Sequence, residues 1–142
     1  MKTKRIEGGA TRTLVVVFDK DEELIDGLQR LAEDEHLDSA HFTAIGGFSS
    51  VVLAFFSREK LAYEDIPVNE QVEVLSLEGN IVPEDAGFKV HAHVVVGRRD
   101  GSTRGGHVQK ARIWPTLEVV LEEAPLHLRR KIDRETGLAL IS

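Results

Sequence analysis

From Ala40 onward the sequence is a succession of short segments rich in β-branched and aromatic residues, broken by turn residues. Segments of this kind are typical of strands. The predicted strands are 40–45, 48–56, 70–81, 88–96, 107–113 and 117–121, with a last pair at 128–132 and 138–141. Turns are expected at 67–69, 83–87, 100–101 and 135–137. Because short turns join successive strands, the strands are expected to form an antiparallel sheet.

One amphipathic helix precedes this series. Leu14–Phe18 is predicted to be a buried strand, and apolar residues then recur at helical spacing. The apolar stripe consists of Leu24, Ile25, Leu28, Leu31 and Ala32. Asp19 or Asp21 is expected to cap a helix of about 15 residues. One early helix and many strands predict an α+β fold with a largely antiparallel sheet, of which the helix covers one face.

Length, charge and residue usage exclude several classes of protein. The chain has 142 residues, which predicts a single domain over residues 1–142. It lacks cysteine, so disulfides, thiolate metal sites and a cysteine nucleophile are excluded. Its net charge of −6 disfavours stand-alone nucleic-acid binding. Neither a membrane-spanning apolar run nor a signal-peptide core is present, so no membrane partner and a cytoplasmic location are expected.

The predicted strand 48–56 is apolar on both of its faces. Phe48, Val52 and Phe56 would point one way, and Val51 and Phe55 the other. A strand that is buried on both faces needs cover on both, whereas one helix supplies a single layer. Either the sheet curls over itself or a second copy of the chain packs on the open face. We favour oligomerisation.

The segment 88–96 alternates strictly between the two faces of its strand. Phe88, Val90 and further apolar residues point into a core, while His91 and His93 project from the opposite face. Two histidines separated by one residue on a strand can both reach one metal ion.

His107 follows on the next strand, after Gly105-Gly106. A two-residue turn at 100–101 would place His107 opposite Val94, on the core face. A one-residue bulge at the two glycines would move it to the histidine face. The sequence therefore predicts that His91, His93 and His107 bind Zn²⁺ or another divalent ion and leave one position open. The other three histidines are expected to be ordinary surface residues: His36, His41 and His127.

Two further sets of charged residues are candidates for a role in metal support, catalysis or anion binding. Glu78 and Glu118 could support the metal site or act as a general base, although solvated strand glutamates are the favoured interpretation. The basic residues that could contact an anion or DNA are Arg98, Arg99 and Arg104, with the run 129–131 as an extension.

An ordered set of motifs resembles the plant and prokaryote conserved (PPC) domain family, in its prokaryotic single-domain form. The motifs are segments 44–49, 74–80, 90–93, 100–107 and 116–121. The resemblance implies a compact fold with a largely antiparallel sheet, assembly as a homotrimer, and zinc on the three histidines at positions 91, 93 and 107. The resemblance also implies a DNA-binding role, because prokaryotic members of the family are often described as DNA-binding proteins by similarity. Plant members bind DNA through AT-hook segments and largely lack these histidines, whereas this sequence has the histidines and no Arg-Gly-Arg-Pro hook.

Three hypotheses from different classes remain open at this point. The first is a homotrimeric metal-binding protein, with zinc as the expected ion. The second is a DNA-associated or regulatory module. The third is a metal-dependent enzyme acting on a small molecule, with zinc activating water and a carboxylate serving as base. The net charge favours the first over the second, and no motif identifies a substrate for the third.

Overall fold

The computed structural model describes residues 1–6, 12–84, 87–123 and 129–141. The elements in these ranges are β1 Lys2–Ile6, β2 Thr13–Phe18, α1 Leu24–Asp34, β3 Ala40–Ser57, β4 Ala62–Val68, β5 Val72–Glu84, β6 Gly87–Gly97, β7 Thr103–Glu123, β8 Arg130–Ile132 and β9 Ala139–Ile141. Seven strands form one antiparallel sheet in the order β1-β2-β7-β6-β5-β3-β4, and β8 pairs with β9 in a separate hairpin. The predicted fold class is therefore confirmed. Within the described residues, the helix is too short to cross a membrane.

The sheet curls over itself. Strand β3 pairs with β5 on one side and with β7 on the other, so that β7, β6, β5 and β3 form a closed ring. Phe48 and Leu53 are buried in the core, whereas Phe55 is 63% exposed. The sequence favoured oligomerisation over curling of the sheet as the cover for this strand. In the structure, curling accounts for most of the apolar residues of β3.

The two longest strands run through positions where the sequence predicted breaks. Segments 40–45 and 48–56 are both parts of β3, and segments 107–113 and 117–121 are both parts of β7. Gly46 bends β3 where its register with β5 shifts, with φ at +145°. A Cβ at Gly46 would lie 2.8 Å from the Cα of Leu117. The break expected between segments 40–45 and 48–56 is therefore a bend within one strand, β3.

Helix α1 has 11 residues, fewer than predicted, and neither expected aspartate caps it. Its cap is Glu23, whose carboxylate accepts a hydrogen bond of 2.7 Å from the backbone N–H of Asp26. Asp21 is in the left-handed conformation, and its backbone N–H donates to Ile113 O at 2.9 Å. Because the sheet holds Asp21 in this way, the helix begins later. The buried residues of its stripe include Leu24, Leu28, Leu31 and Ala32, as predicted.

Strands β1 and β4 were not predicted, because both are rich in polar residues and lie at the two edges of the sheet. β4 pairs with β3, which places Tyr63 opposite Phe56. The predicted C-terminal pair is confirmed as β8 and β9. His127 and Leu128 lie outside the described residues, as do the middle positions of the predicted turn 83–87.

Candidate metal centre

Strand β6 alternates between buried and accessible residues as its sequence predicted. The residues on its core side are Val90, Ala92, Val94 and Val96, all buried. They belong to the same core as the buried side chains of α1. His91 and His93 therefore project from the face opposite the core. The alternation of side chains along β6 is sufficient to place the imidazole rings of His91 and His93 on the same face of the sheet.

The hairpin between β6 and β7 places His107 directly opposite His93. The register is unbroken from this pair to Gly97 opposite Thr103, so the predicted bulge at the two glycines does not occur. Instead the connection is a five-residue loop, 98–102. It is closed by the backbone N–H of Arg98, which donates to Ser102 O at 2.8 Å. Because this loop replaces a two-residue turn, the pairing shifts by one residue and His107 reaches the histidine face.

Gly106 has a different role from the one predicted. A Cβ at this position would lie 3.0 Å from the carbonyl oxygen of Ala54 and 3.4 Å from the Cβ of Leu53, both on β3. The missing side chain lets β7 approach β3 closely at the point where the ring of strands closes. The glycine therefore supports the closure beside His107.

The three imidazole rings converge. One ring nitrogen from each of His91, His93 and His107 lies within 4.8 Å of the other two. The Nε2 atoms of His91 and His93 are 3.2 Å apart, while tetrahedral zinc with Zn–N bonds of about 2.0–2.1 Å needs nitrogens about 3.3 Å apart. The Nδ1 atom of His107 is buried without a hydrogen-bond partner among the described residues. An ion in the cluster is the kind of ligand that satisfies such a ring. The residues present therefore fit a divalent cation.

The surroundings keep these imidazoles in the form that binds metal. Burial, together with the neighbouring His91, His93 and Lys89, lowers the pKa of His107 to about 4. Burial also lowers the pKa of His91, with contributions from His93, Arg130 and Lys89. Because metal ligation requires neutral imidazole, these two rings are ready to bind at neutral pH without first losing a proton.

Three further residues lie around the histidine cluster: Tyr63, Asn80 and Arg130. The ring of Tyr63 stacks on that of His107, with centroids 4.6 Å apart and planes 25° from parallel. Asn80 lies opposite His91 in the sheet, and its Oδ1 accepts a 2.6 Å hydrogen bond from Arg130 Nη2. Sequence reasoning missed Tyr63, because β4 was not predicted. It noted Arg130 only as part of a basic run.

The two candidate glutamates occupy different places. Glu78 lies opposite His93 and lines a cavity of about 300 Å³ together with His91 and His93. No hydrogen bond joins its carboxylate to a histidine in the ranges the structure describes, so its supporting role stays a prediction. Glu118 lies opposite Ile45 and lines a shallow cavity whose lining includes none of the three histidines. The structure does not bring Glu118 to the cluster.

The candidate basic residues lie at the tip of the β6–β7 hairpin. Arg98 donates from Nε to the Glu70 carboxylate at 2.7 Å. Arg99 and Arg104 are exposed. In the part of the chain that the structure describes, Arg98 is the residue of this set that forms an ion pair. Of the other histidines, His36 and His41 are exposed, as predicted.

Comparison with known proteins identifies relatives of this fold. The sequence profile of the Plants and Prokaryotes Conserved domain matches residues 5–125. The chain is 29% identical to the bifunctional protein GlmU of Synechococcus sp. (strain JA-3-3Ab) over 119 residues, which is 82% of this chain and 18% of that protein. The chain therefore spans about a fifth of the length of the curated relative it matches.

Two crystal structures show the same architecture over nearly the whole chain. A metal-containing protein from Archaeoglobus fulgidus superposes with a TM-score of 0.85 and 29% identity, covering 100% of this chain and 99% of that one. A proposed DNA-binding protein from Bacteroides thetaiotaomicron superposes with a TM-score of 0.87 and 25% identity, covering 99% and 96%.

Proposed function

The chain belongs to the Plants and Prokaryotes Conserved domain family, and from that premise we propose that it is a zinc-binding protein that assembles as a homotrimer. Its 142 residues act in this proposal as one domain. The observation that carries the metal site is the convergence of one ring nitrogen each from His91, His93 and His107 within 4.8 Å. The Archaeoglobus relative, which is named a metal-containing protein, supports it.

The nature of the ligands favours zinc over the harder cations. Three neutral imidazoles suit Zn²⁺, whereas Mg²⁺ and Ca²⁺ prefer carboxylate and carbonyl oxygens. Three protein ligands leave the fourth position of a tetrahedral ion to water or to a small ligand, which is the arrangement of reactive zinc sites rather than of purely structural ones. A bound zinc ion would supply a Lewis acid at the accessible end of the histidine cluster.

Metal analysis of protein purified without a histidine tag tests the metal site. After dialysis against zinc we expect about one ion per chain in the wild type, measured by plasma mass spectrometry. The change His93→Ala should abolish most of this binding, because it removes one of three ligands from an accessible position. His41→Ala is the matched control, since His41 is an exposed histidine on the neighbouring β3. A wild-type protein that takes up no zinc, or equal loss in both variants, would disprove the site.

An exposed apolar patch supports the homotrimer. Ile45, Leu75 and Val120 line one shallow cavity on the outer face of the sheet and are 59%, 53% and 44% exposed. Apolar patches of this kind mark contacts between protein chains. We expect light scattering to give a mass near three times 15.8 kDa, and Leu75→Lys to shift it toward one chain. A wild-type mass near 15.8 kDa at micromolar concentration would rule out the assembly.

DNA binding is the second candidate, because the Bacteroides relative is described as a proposed DNA-binding protein. Two observations weigh against it here. Arg98 is neutralised by Glu70 at 2.7 Å, and three copies of a chain with charge −6 carry −18. Measuring the affinity of the protein for a mixed-sequence DNA duplex at several salt concentrations decides this, because binding through phosphate contacts strengthens steeply as the salt concentration falls. Measurable affinity that rises at low salt would favour the DNA-associated module.

A further inference from the structure

A cavity of about 410 Å³ opens beside the histidines, on a side that the metal ligands do not fill. His91, His107 and Tyr63 form one wall, and the β8–β9 hairpin forms the other. The volume falls within the roughly 300–1,000 Å³ typical of small-molecule sites. The cavity can therefore admit a ligand next to the position that three histidines would leave open on a metal ion.

The charged groups of this cavity are mainly cationic. Lys89 and Arg130 line it, against the single carboxylate of Glu84. A bound divalent ion would add two further positive charges to the same wall. An anion is thus the ligand that the charge of this cavity favours.

The guanidinium of Arg130 is held in place by the protein. Its Nη1 donates to the Ala139 carbonyl oxygen and its Nη2 to Asn80 Oδ1, both at 2.6 Å. Its Nε is buried and has no hydrogen-bond partner among the described residues. Each Nη nitrogen carries a second N–H, so the fixed guanidinium keeps donors for an oxyanion and loses little entropy when it binds one. Arg130 is therefore a prepared contact for a carboxylate.

The opposite wall is apolar. Ile132, Leu138 and Leu140 of the hairpin line the cavity, and they offer no charge to a second anionic group. A ligand that suits both walls carries one anionic group and a short hydrocarbon body. Phosphate alone would leave the apolar wall without a partner.

We propose that this cavity binds a small monocarboxylate, whose carboxylate lies between Arg130 and Lys89 and whose carbon chain packs on the β8–β9 hairpin. The ligand would then present its remaining polar groups to the histidine cluster. The inference rests on the proposed metal site only for the additional positive charge that a bound ion would bring to the cavity wall. Arg130, Lys89 and the hairpin act without it.

Nuclear magnetic resonance of the metal-free protein tests the proposal directly. Butyrate is titrated into the ¹⁵N-labelled chain, with neutral butyramide and inorganic phosphate as comparison probes. Butyrate should produce saturating shifts of the amide signals of residue 89 and residues 138–140, and butyramide should not. Removing a fixed charged donor with Arg130→Gln should weaken butyrate binding roughly tenfold or more. Lys89→Gln should weaken it roughly threefold, since an exposed charge contributes less.

Lys89→Gln keeps the test valid if Arg130→Gln disturbs the hairpin, because Lys89 is exposed and, among the described residues, forms no hydrogen bond or ion pair with the β8–β9 hairpin. Lys110→Gln is the matched control, since it removes the same charge from an exposed site on β7 outside the cavity. Absence of butyrate shifts, equal shifts with butyramide, tighter binding of phosphate than of butyrate, or equal weakening by Lys110→Gln would each overturn the proposal.

A second titration with zinc separates this inference from the metal site. Zinc should raise the affinity for butyrate, because it adds positive charge to the cavity wall. If the protein binds butyrate but no zinc, the proposed function fails and the carboxylate site stands. If it binds zinc but no butyrate, the carboxylate site alone fails.

Discussion

Acid should destabilise the metal-free protein through His107 in a defined pH window. The pKa of this imidazole is about 4 in the folded chain, against 6.5 for an ordinary histidine. Between these two values the unfolded chain binds a proton that the folded chain does not. The stability linked to His107 is therefore complete above pH 6.5, falls as the pH drops toward 4, and changes no further below that.

The size of the effect follows from the environment of the ring. A gap from 6.5 to about 4 corresponds to at most about 3.4 kcal/mol. The ring is only about half buried, so solvent screens part of this, and we expect about 1–2 kcal/mol. Burial of the ring is the largest cause of the lowered pKa, and His91, His93 and Lys89 add to it. The ring of Tyr63 covers one face.

Urea unfolding at pH 7.5, 6, 5 and 4.5 in the presence of a chelator measures this loss. Between the two extremes the wild type should lose about 1–2 kcal/mol more than His107→Gln, which has no imidazole to protonate. His41→Gln should follow the wild type, because it removes an exposed histidine. In the folded protein the ring protons of His107 should titrate near pH 4. A His107 midpoint near 6.5, or parallel pH profiles of wild type and His107→Gln, would refute the reasoning.

Three other predictions concern the strands and the hairpin loop around the cluster. Gly79→Ala would place a Cβ 2.6 Å from the carbonyl oxygen of His91, and should cost about 1–3 kcal/mol in urea unfolding. Gly101→Ala, with φ at +81° and no atom within 4 Å of the new Cβ, should cost only the backbone strain of about 1–2 kcal/mol and leave zinc binding intact. Loss of zinc binding by Gly101→Ala would contradict this. Deleting Arg99 shortens the hairpin loop by one residue and should turn His107 toward the core face, so zinc binding is lost while the circular dichroism of the sheet persists. Zinc binding by the deletion variant at wild-type affinity would show that the loop does not set the register.

The parts of the site that the sequence predicted are those that depend on local pattern. His91 and His93 share a face because a strand alternates at every residue, and the apolar residues between them can only face the core. The stripe of α1 follows from helical periodicity in the same way. No tertiary information is needed for either inference.

The parts that the sequence could not predict depend on backbone hydrogen bonds and on contacts between distant segments. The place of His107 depends on a loop closed by Arg98 and Ser102, and the dipeptide Asp-Gly alone suggests a shorter turn. Tyr63 reaches the cluster through an edge strand whose polar composition conceals it. Glu23, rather than an aspartate, caps the helix because the backbone of Asp21 is bonded to β7. The positions of Tyr63 and Glu23 thus depend on contacts within the closed sheet, whereas that of His107 depends on the hydrogen bonds of the hairpin loop.

Glu78 links the two surfaces that the proposals invoke. It lines the cavity that contains His91 and His93, and it also lines the shallow apolar cavity formed with Ile45 and Leu75. A subunit that covered the apolar patch would therefore bring its own atoms to the edge of the histidine cluster. It would also desolvate the Glu78 carboxylate, which makes an unpaired charge costly unless a cation lies near. Assembly and metal binding would then favour each other, because a zinc ion on the histidines supplies positive charge next to the residue that assembly buries.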